Sequence, residues 1–90
     1  MNKAELIGAI AQKTEMTQKD AERALNAMLG SIMEALQRSE KVQLVGFGSF
    51  EKRLRSARRG KNPATGESLE IPAAQVPVFK AGKAFRDAVN

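Results

Sequence analysis

Fifteen consecutive residues, KRLRSARRGKNPATG from Lys52 to Gly66, contain no carboxylate. Six of them are cationic: Lys52, Arg53, Arg55, Arg58, Arg59 and Lys61. Four of the six are arginines, whose planar fork fits phosphate oxygens. The chemistry open to such a run is ionic: it can neutralise a polyanion and release the counterions condensed on it. Keeping a strand edge from aggregating needs only one or two charges, so edge protection does not account for six. The stretch expected to return beside it offers only Glu67 and Glu70 as counter-charges. No Phe, Tyr or Trp interrupts the run. It therefore has no platform for stacking single-stranded bases, which favours duplex as the polyanion.

Pro63 closes the cationic run. Asn62-Pro63 suits the first two positions of a type I turn, which would put the proline at a tip. A tip proline is compact, apolar and stiff, so it can wedge between base pairs, unstack a step and bend a duplex. Lys61 and Asn62 beside it can reach phosphates and groove-floor acceptors. The turn-forming and wedging roles are compatible, because the turn is what presents the ring.

Other chemistries lack their residues. The chain has neither His nor Cys. The usual zinc ligand sets, a disulfide framework and the common nucleophile–base pairs are therefore missing. No carboxylate pair forms a pocket pattern, and Gly46-Phe47-Gly48 lacks the context of a phosphate loop. No enzyme, cofactor or metal is expected. No apolar run approaches the roughly 20 residues of a membrane span, and MNKAELIGAI is not a signal peptide. The expectation is a soluble, cytoplasmic chain with no membrane partner.

Positioning the cations falls to a chain of 90 residues, one domain at most. Its net charge of +5 is uneven. Residues 1–40 hold five basic and six acidic side chains, whereas residues 41–90 hold ten and four. The first half reads as two helices. Asn2 caps one that carries Leu6, Ile7, Ile10 and Ala11 on one face and fades near Thr14. Thr17 opens a capping-box pattern with Asp20, followed by Ala21, Leu25, Met28, Leu29, Ile32 and Leu36 at helical steps. This second helix ends near Ser39, and Gly30 within it suggests a close helix crossing.

The second half changes period. Lys41–Val45 alternates as a strand, Gly46–Gly48 turns, and an extended run starts near Ser49. Residues 60–66 are rich in turn formers, and Ser68–Ile71 and Gln75–Phe79 are extended again. Pro72 and Pro77 place this returning strand at a sheet edge or at bulges. Residues 52–75 thus form a long projecting hairpin, and Ala81–Asn90 forms a last helix. A monomer of this size buries only roughly 60–65 % of the surface its unfolded chain exposes, and self-association is the device left to it. A homodimer is expected, with a core of Phe47, Phe50, Phe79, Leu29, Ile32, Leu36 and Leu44.

The stretch GFGSFEKRLRSARRGKNPATG, Gly46 to Gly66, resembles the HU/IHF family of bacterial architectural DNA-binding proteins. Its Phe47, Phe50, Arg55, Arg58, Gly60, Asn62, Pro63 and Thr65 have the family's spacing. The opening MNKAELI and the closing FKAGKAFRDAVN extend the likeness along the whole chain. The resemblance implies an α+β, HU-like intertwined dimer. It would have two N-terminal helices, a three-stranded antiparallel sheet with a long β-hairpin arm, and a short C-terminal helix. Residues 1–40 would form the helical dimerisation half, 41–80 the sheet with its arm at about 52–75, and 81–90 the final helix.

The resemblance further implies two arms in the minor groove with an intercalating Pro63. The DNA-binding set would be Lys52, Arg53, Arg55, Arg58, Arg59, Lys61, Asn62 and Pro63 on the arm. Lys3, Lys80, Lys83 and Arg86 would lie on the saddle and flanks. Minor-groove architectural proteins of this kind are a known class. Two residues depart from the family pattern: Lys61, where Arg is commoner, and Phe85, where Leu is expected. The implied function is largely non-specific, nucleoid-associated binding and bending of double-stranded DNA. A sequence-selective IHF-like subunit, a heterodimer with a paralogous subunit, and a basic module for RNA or another polyanion stay open as alternatives.

Overall fold

The computed structural model describes residues 1–90. In chain order the elements are α1 (Lys3–Thr14), α2 (Gln18–Gln37), β1 (Val42–Leu44), β2 (Gly48–Arg55), β3 (Arg58–Lys61), β4 (Ser68–Ile71), β5 (Ala74–Ala81) and α3 (Lys83–Val89). They fall into two compact units, Met1–Glu34 and Ala35–Asn90.

In the first unit, the Asn2 side chain accepts the Glu5 N–H at 2.8 Å and starts α1. Glu15 ends that helix in the left-handed region, with φ 58°. Thr17 Oγ1 accepts the Asp20 N–H at 3.1 Å, as its capping pattern predicts. The two helices share a small core of Ile7, Ala11, Ala21 and Leu25, with Ile10 packed against it. Within one protomer nothing crosses closely at Gly30, since a Cβ there would meet no atom of the chain within 4 Å.

The second unit begins with the last turn of α2, and the helix stops without a glycine. Ser39 takes φ 60°, its N–H donates to the Leu36 carbonyl, and the Glu40 N–H reaches back to the Ala35 carbonyl at 2.9 Å. This is a Schellman closure with serine in the position glycine usually fills.

The sheet that follows runs β1-β2-β5, with β2 central and both pairings antiparallel. β5 is an edge strand, which explains how Pro77 sits in it opposite Lys52. No bulge is needed. The register that pairs Gly48 with Ala81 and Arg55 with Ala74 continues unchanged where Arg58 pairs with Ile71 and Lys61 with Ser68. β2–β3 and β4–β5 are therefore one continuous hairpin. Its ladder is interrupted between Arg55 and Arg58 on one side and between Ile71 and Ala74 on the other, where Pro72 has no N–H to give.

Four phenylalanines gather on this unit. Phe50 and Phe79 lie 4.8 Å apart by ring centroids, Phe47 stacks on Phe85 at 4.8 Å, and Phe47 and Phe79 are 5.5 Å apart. The stack gives Phe85, unexpected at its position, a partner. Yet Phe47 stays 44 % and Phe79 40 % exposed. Among hydrophobic residues only Ile7, Ala11, Ala21, Leu25, Ala35 and Leu36 are buried. Three of those six are alanines, so little large apolar surface is removed from water within one protomer.

Candidate nucleic-acid interface

Residues paired directly across an antiparallel sheet share a face, and each strand alternates between faces. The observed register therefore sorts the side chains. Gln43, Ser49, Glu51, Arg53 and Arg55 lie on one face with Ala74, Val76, Val78 and Lys80. Continuing the β1 register by one residue brings Lys41 opposite Glu51 on the same face. Val42, Leu44, Phe50, Phe79 and Lys52 lie on the other face. The first of these faces thus gathers most of the sheet's cations around Val76 and Val78 of β5, and the second carries the aromatic residues with Val42 and Leu44.

Lys52 goes with the apolar side. Its Nζ donates to the Gln37 carbonyl at 3.4 Å, at the end of α2. A cation there also meets the negative end of the helix dipole. The structure separates Lys52 from the cations of the opposite face and gives it a structural contact. Lys41 is the converse case, absent from the expected set but placed among the face cations. The alternation of Lys41 and Gln43 with Val42 and Leu44 was the signal for it.

Beyond the interrupted ladder, the outer hairpin has two sides of its own. Arg59 and Lys61 share a side with Glu70 and Ser68, whereas Arg58 shares the other with Leu69, Ile71 and Gly60. Arg59 and Glu70 approach to only 4.0 Å and both are more than 80 % exposed. So open a pair holds its partners weakly and leaves Arg59 available to a stronger anion. Arg55, Arg58 and Lys61 are exposed, and no side-chain hydrogen bond or ion pair within the chain includes them.

The tip differs from the simple turn expected. The Asn62 N–H donates to the Glu67 carbonyl at 2.8 Å, and the Gly66 N–H donates to the Asn62 carbonyl at 2.7 Å. The closing bond therefore spans one residue more than a type I turn. Gly66 supplies the φ of 73° that lets the chain re-enter β4. Asn62 Oδ1 accepts the Ala64 N–H at 2.9 Å, and Thr65 Oγ1 accepts the Glu67 N–H at 3.3 Å. These side-chain bonds define the loop and leave Pro63 exposed on it. With Oδ1 so engaged, the Asn62 amide keeps two N–H donors that no acceptor in the chain takes up, the right polarity for the acceptors on a minor-groove floor.

The remaining expected residues are more scattered. Lys80 lies on the cationic sheet face. Lys83 and Arg86 are exposed on α3, one turn apart. Lys3 opens α1 in the first unit. Of the expected dimer core, Leu36 is buried, and Ile32, Leu44 and Phe50 are half-buried. Leu29, Phe47 and Phe79 are exposed. No group of three or more acidic side chains is placed to hold a metal ion.

A family model described as bacterial DNA-binding protein matches residues 1–90. The chain belongs to this family. Among bacterial DNA-binding proteins, DNA-binding protein HU of Clostridium pasteurianum is 62 % identical over 100 % of this chain and 99 % of its own. DNA-binding protein HU of Geobacillus stearothermophilus is 57 % identical over the full length of both. An Anabaena HU–DNA cocrystal structure superposes with a TM-score of 0.93 at 55 % identity, covering 99 % of this chain and 97 % of that one. HU from Thermotoga maritima superposes with a TM-score of 0.71 at 38 % identity, covering both chains in full. The fold is accordingly the α+β fold of HU, with three helices and an antiparallel sheet extended into a β-hairpin.

Proposed function

We propose that this chain is an architectural, nucleoid-associated protein that binds double-stranded DNA largely without sequence specificity and bends it. The observation that carries the reading is the continuous hairpin. It joins a sheet face bearing Arg53, Arg55 and Lys80 to an outer segment bearing Arg58, Arg59 and Lys61, and it ends on an exposed Pro63. A duplex laid on that ribbon meets cations along its backbone and a stiff apolar wedge at its minor groove. Family membership and the DNA-bound relative support the same reading. The chain is a binder and not an enzyme.

The working unit in this proposal is a homodimer of single HU-like domains. Residues 1–40 supply the helical pairing half, the arm at about 52–75 supplies the grip, and 81–90 the closing helix. Support comes from Phe47, Phe79, Leu29 and Met33, all large and exposed in one protomer. A symmetric copy would cover such surface. No helix is long and apolar enough to cross a membrane, and the nucleoid in the cytoplasm is the site of action proposed.

Bending a 20–30 base-pair site by 40–90° costs on the order of 1–6 kcal/mol. Phosphate neutralisation and added wrapped surface offset that. Selectivity then follows deformability: nicks, gaps, mismatches and flexible steps are cheaper to bend. A duplex titration across a range of salt concentrations tests the ionic part. With about eight phosphates neutralised per dimer, log K plotted against log salt should fall with a slope of about −7. A slope near zero would reject the reading.

A further inference from the structure

The cationic sheet face contains one carboxylate, that of Glu51. It is half-buried, and its Oε1 takes a hydrogen bond from Arg53 Nη2 at 2.5 Å, two residues along the same side of β2. Lys41, the residue before β1, comes opposite it when the β1–β2 register is continued by one residue, and Lys80 is on the same face of β5. Of all the ion pairs in the chain, this is the one that engages a cation of the sheet face; the others are Arg38–Glu40 and the long Arg59–Glu70 approach. Glu51 thus holds, in the free protein, the position on Arg53 that a phosphate oxygen would take. The Arg53 hydrogen bond and charge, with Lys41 and Lys80 adding to them, hold its carboxyl below the usual value of 4.5. Near neutral pH it meets an incoming duplex ionised.

We infer that Glu51 is a built-in competitor for DNA phosphate: its carboxylate occupies Arg53 in the free protein and is displaced when a duplex docks on the sheet face. This rests on the DNA-binding reading and deepens it by naming a residue that sets affinity without touching DNA. The physical ground is an exchange of like bonds. A guanidinium already paired with a carboxylate gains less from a phosphate than an unpaired one does. The freed carboxylate is then left beside a polyanion, at a distance where salt screens the repulsion only in part. Glu51 therefore acts through Arg53, as a positioning residue that tempers the grip of the face.

The test is an anisotropy titration of one fluorescent duplex at low and high salt. Proteins compared are the parent, Glu51→Gln, Glu51→Ala, Arg53→Gln, the Glu51→Gln/Arg53→Gln double variant, and Glu22→Gln. The last removes the same charge from an exposed position on α2. Glu51→Gln and Glu51→Ala should each tighten binding by about two- to fivefold at low salt, the range an exposed ion pair commands. That gain should shrink at high salt and largely vanish in the Arg53→Gln background. Glu22→Gln should give a clearly smaller gain. Unchanged or weaker binding by both Glu51 variants, with melting curves like the parent's, overturns the inference. So does a gain from Glu22→Gln equal to that from Glu51→Gln, or a gain that survives intact without Arg53, because either makes net charge the cause. A parent that fails to bind the duplex at all is a separate result, and it removes the DNA-binding reading itself.

Discussion

Replacing Gly48 with alanine is expected to destabilise the fold by about 2–3 kcal/mol, the range of an overpacked core site. Gly48 is buried where β2 begins, opposite Ala81. A Cβ there would stand 2.5 Å from the Lys80 carbonyl oxygen and 2.7 Å and 2.8 Å from two atoms of the Phe79 ring. The ring could turn away, but the carbonyl belongs to the backbone of β5 and cannot move without distorting the pairing. Gly→Ala usually gains about 0.4–1 kcal/mol by restricting the unfolded chain. Here the clash outweighs that gain and decides the sign. The cause is space alone, since Gly48 does not need a positive φ. Urea unfolding followed by circular dichroism checks it through a lowered midpoint at an unchanged slope. A midpoint at or above the parent's would show that β5 is not held against Gly48 as described.

The second large effect concerns the outer hairpin. Changing Arg58, Arg59 and Lys61 together to alanine should weaken duplex binding by about a hundredfold or more near 0.1 M salt. Each phosphate contact contributes about 0.9 to the salt slope, hence close to a decade in affinity at that concentration. The proposed dimer has six such cations on its two arms, and a hundredfold already corresponds to losing little more than two phosphate contacts among them. The plot of log K against log salt should flatten accordingly, and the ratio between parent and variant should narrow as salt rises. The fold itself should be spared. All three side chains are exposed, and the single ion pair among them is the long Arg59–Glu70 approach. Salt-dependent titration beside a melting curve separates the two effects. A loss under about threefold, with an unchanged slope, would remove the outer hairpin from the ionic grip.

Much of this was legible in local pattern. Asn2 and Thr17 cap the helices they were expected to cap. The alternation from Lys41 to Val45 marks a strand and also shows which of its side chains are polar. The constraint of Pro72 and Pro77 on the returning strand foretells an edge, and β5 is one. What escaped depends on partners distant in sequence. The destination of Lys52 could not be read from β2 alone, because Gln37 becomes its acceptor only through the tertiary fold. Glu51 adjoins the cationic run, yet its hold on Arg53 is set by side-chain geometry that spacing does not encode. The five-residue closure of the tip needs the Asx bond of Asn62 and the positive φ of Gly66 together, which no dipeptide preference foretells. At Gly30 no neighbour within the protomer crosses closely. A small residue in a helix permits a close approach but does not supply the surface that approaches.

Strain in the duplex is what the proposed wedge must overcome, so the decisive comparison varies the DNA and leaves the protein alone. Two fluorescent duplexes of identical sequence, one intact and one with a single central nick, would compete for the parent protein at fixed moderate salt. Backbone charge is nearly the same in both, whereas the nicked one bends at much lower cost. A nicked duplex held at least about tenfold more tightly, corresponding to roughly 1.4 kcal/mol of spared bending energy, is the result predicted. Equal affinities would mean that the cationic hairpin merely coats DNA and that Pro63 pries nothing open.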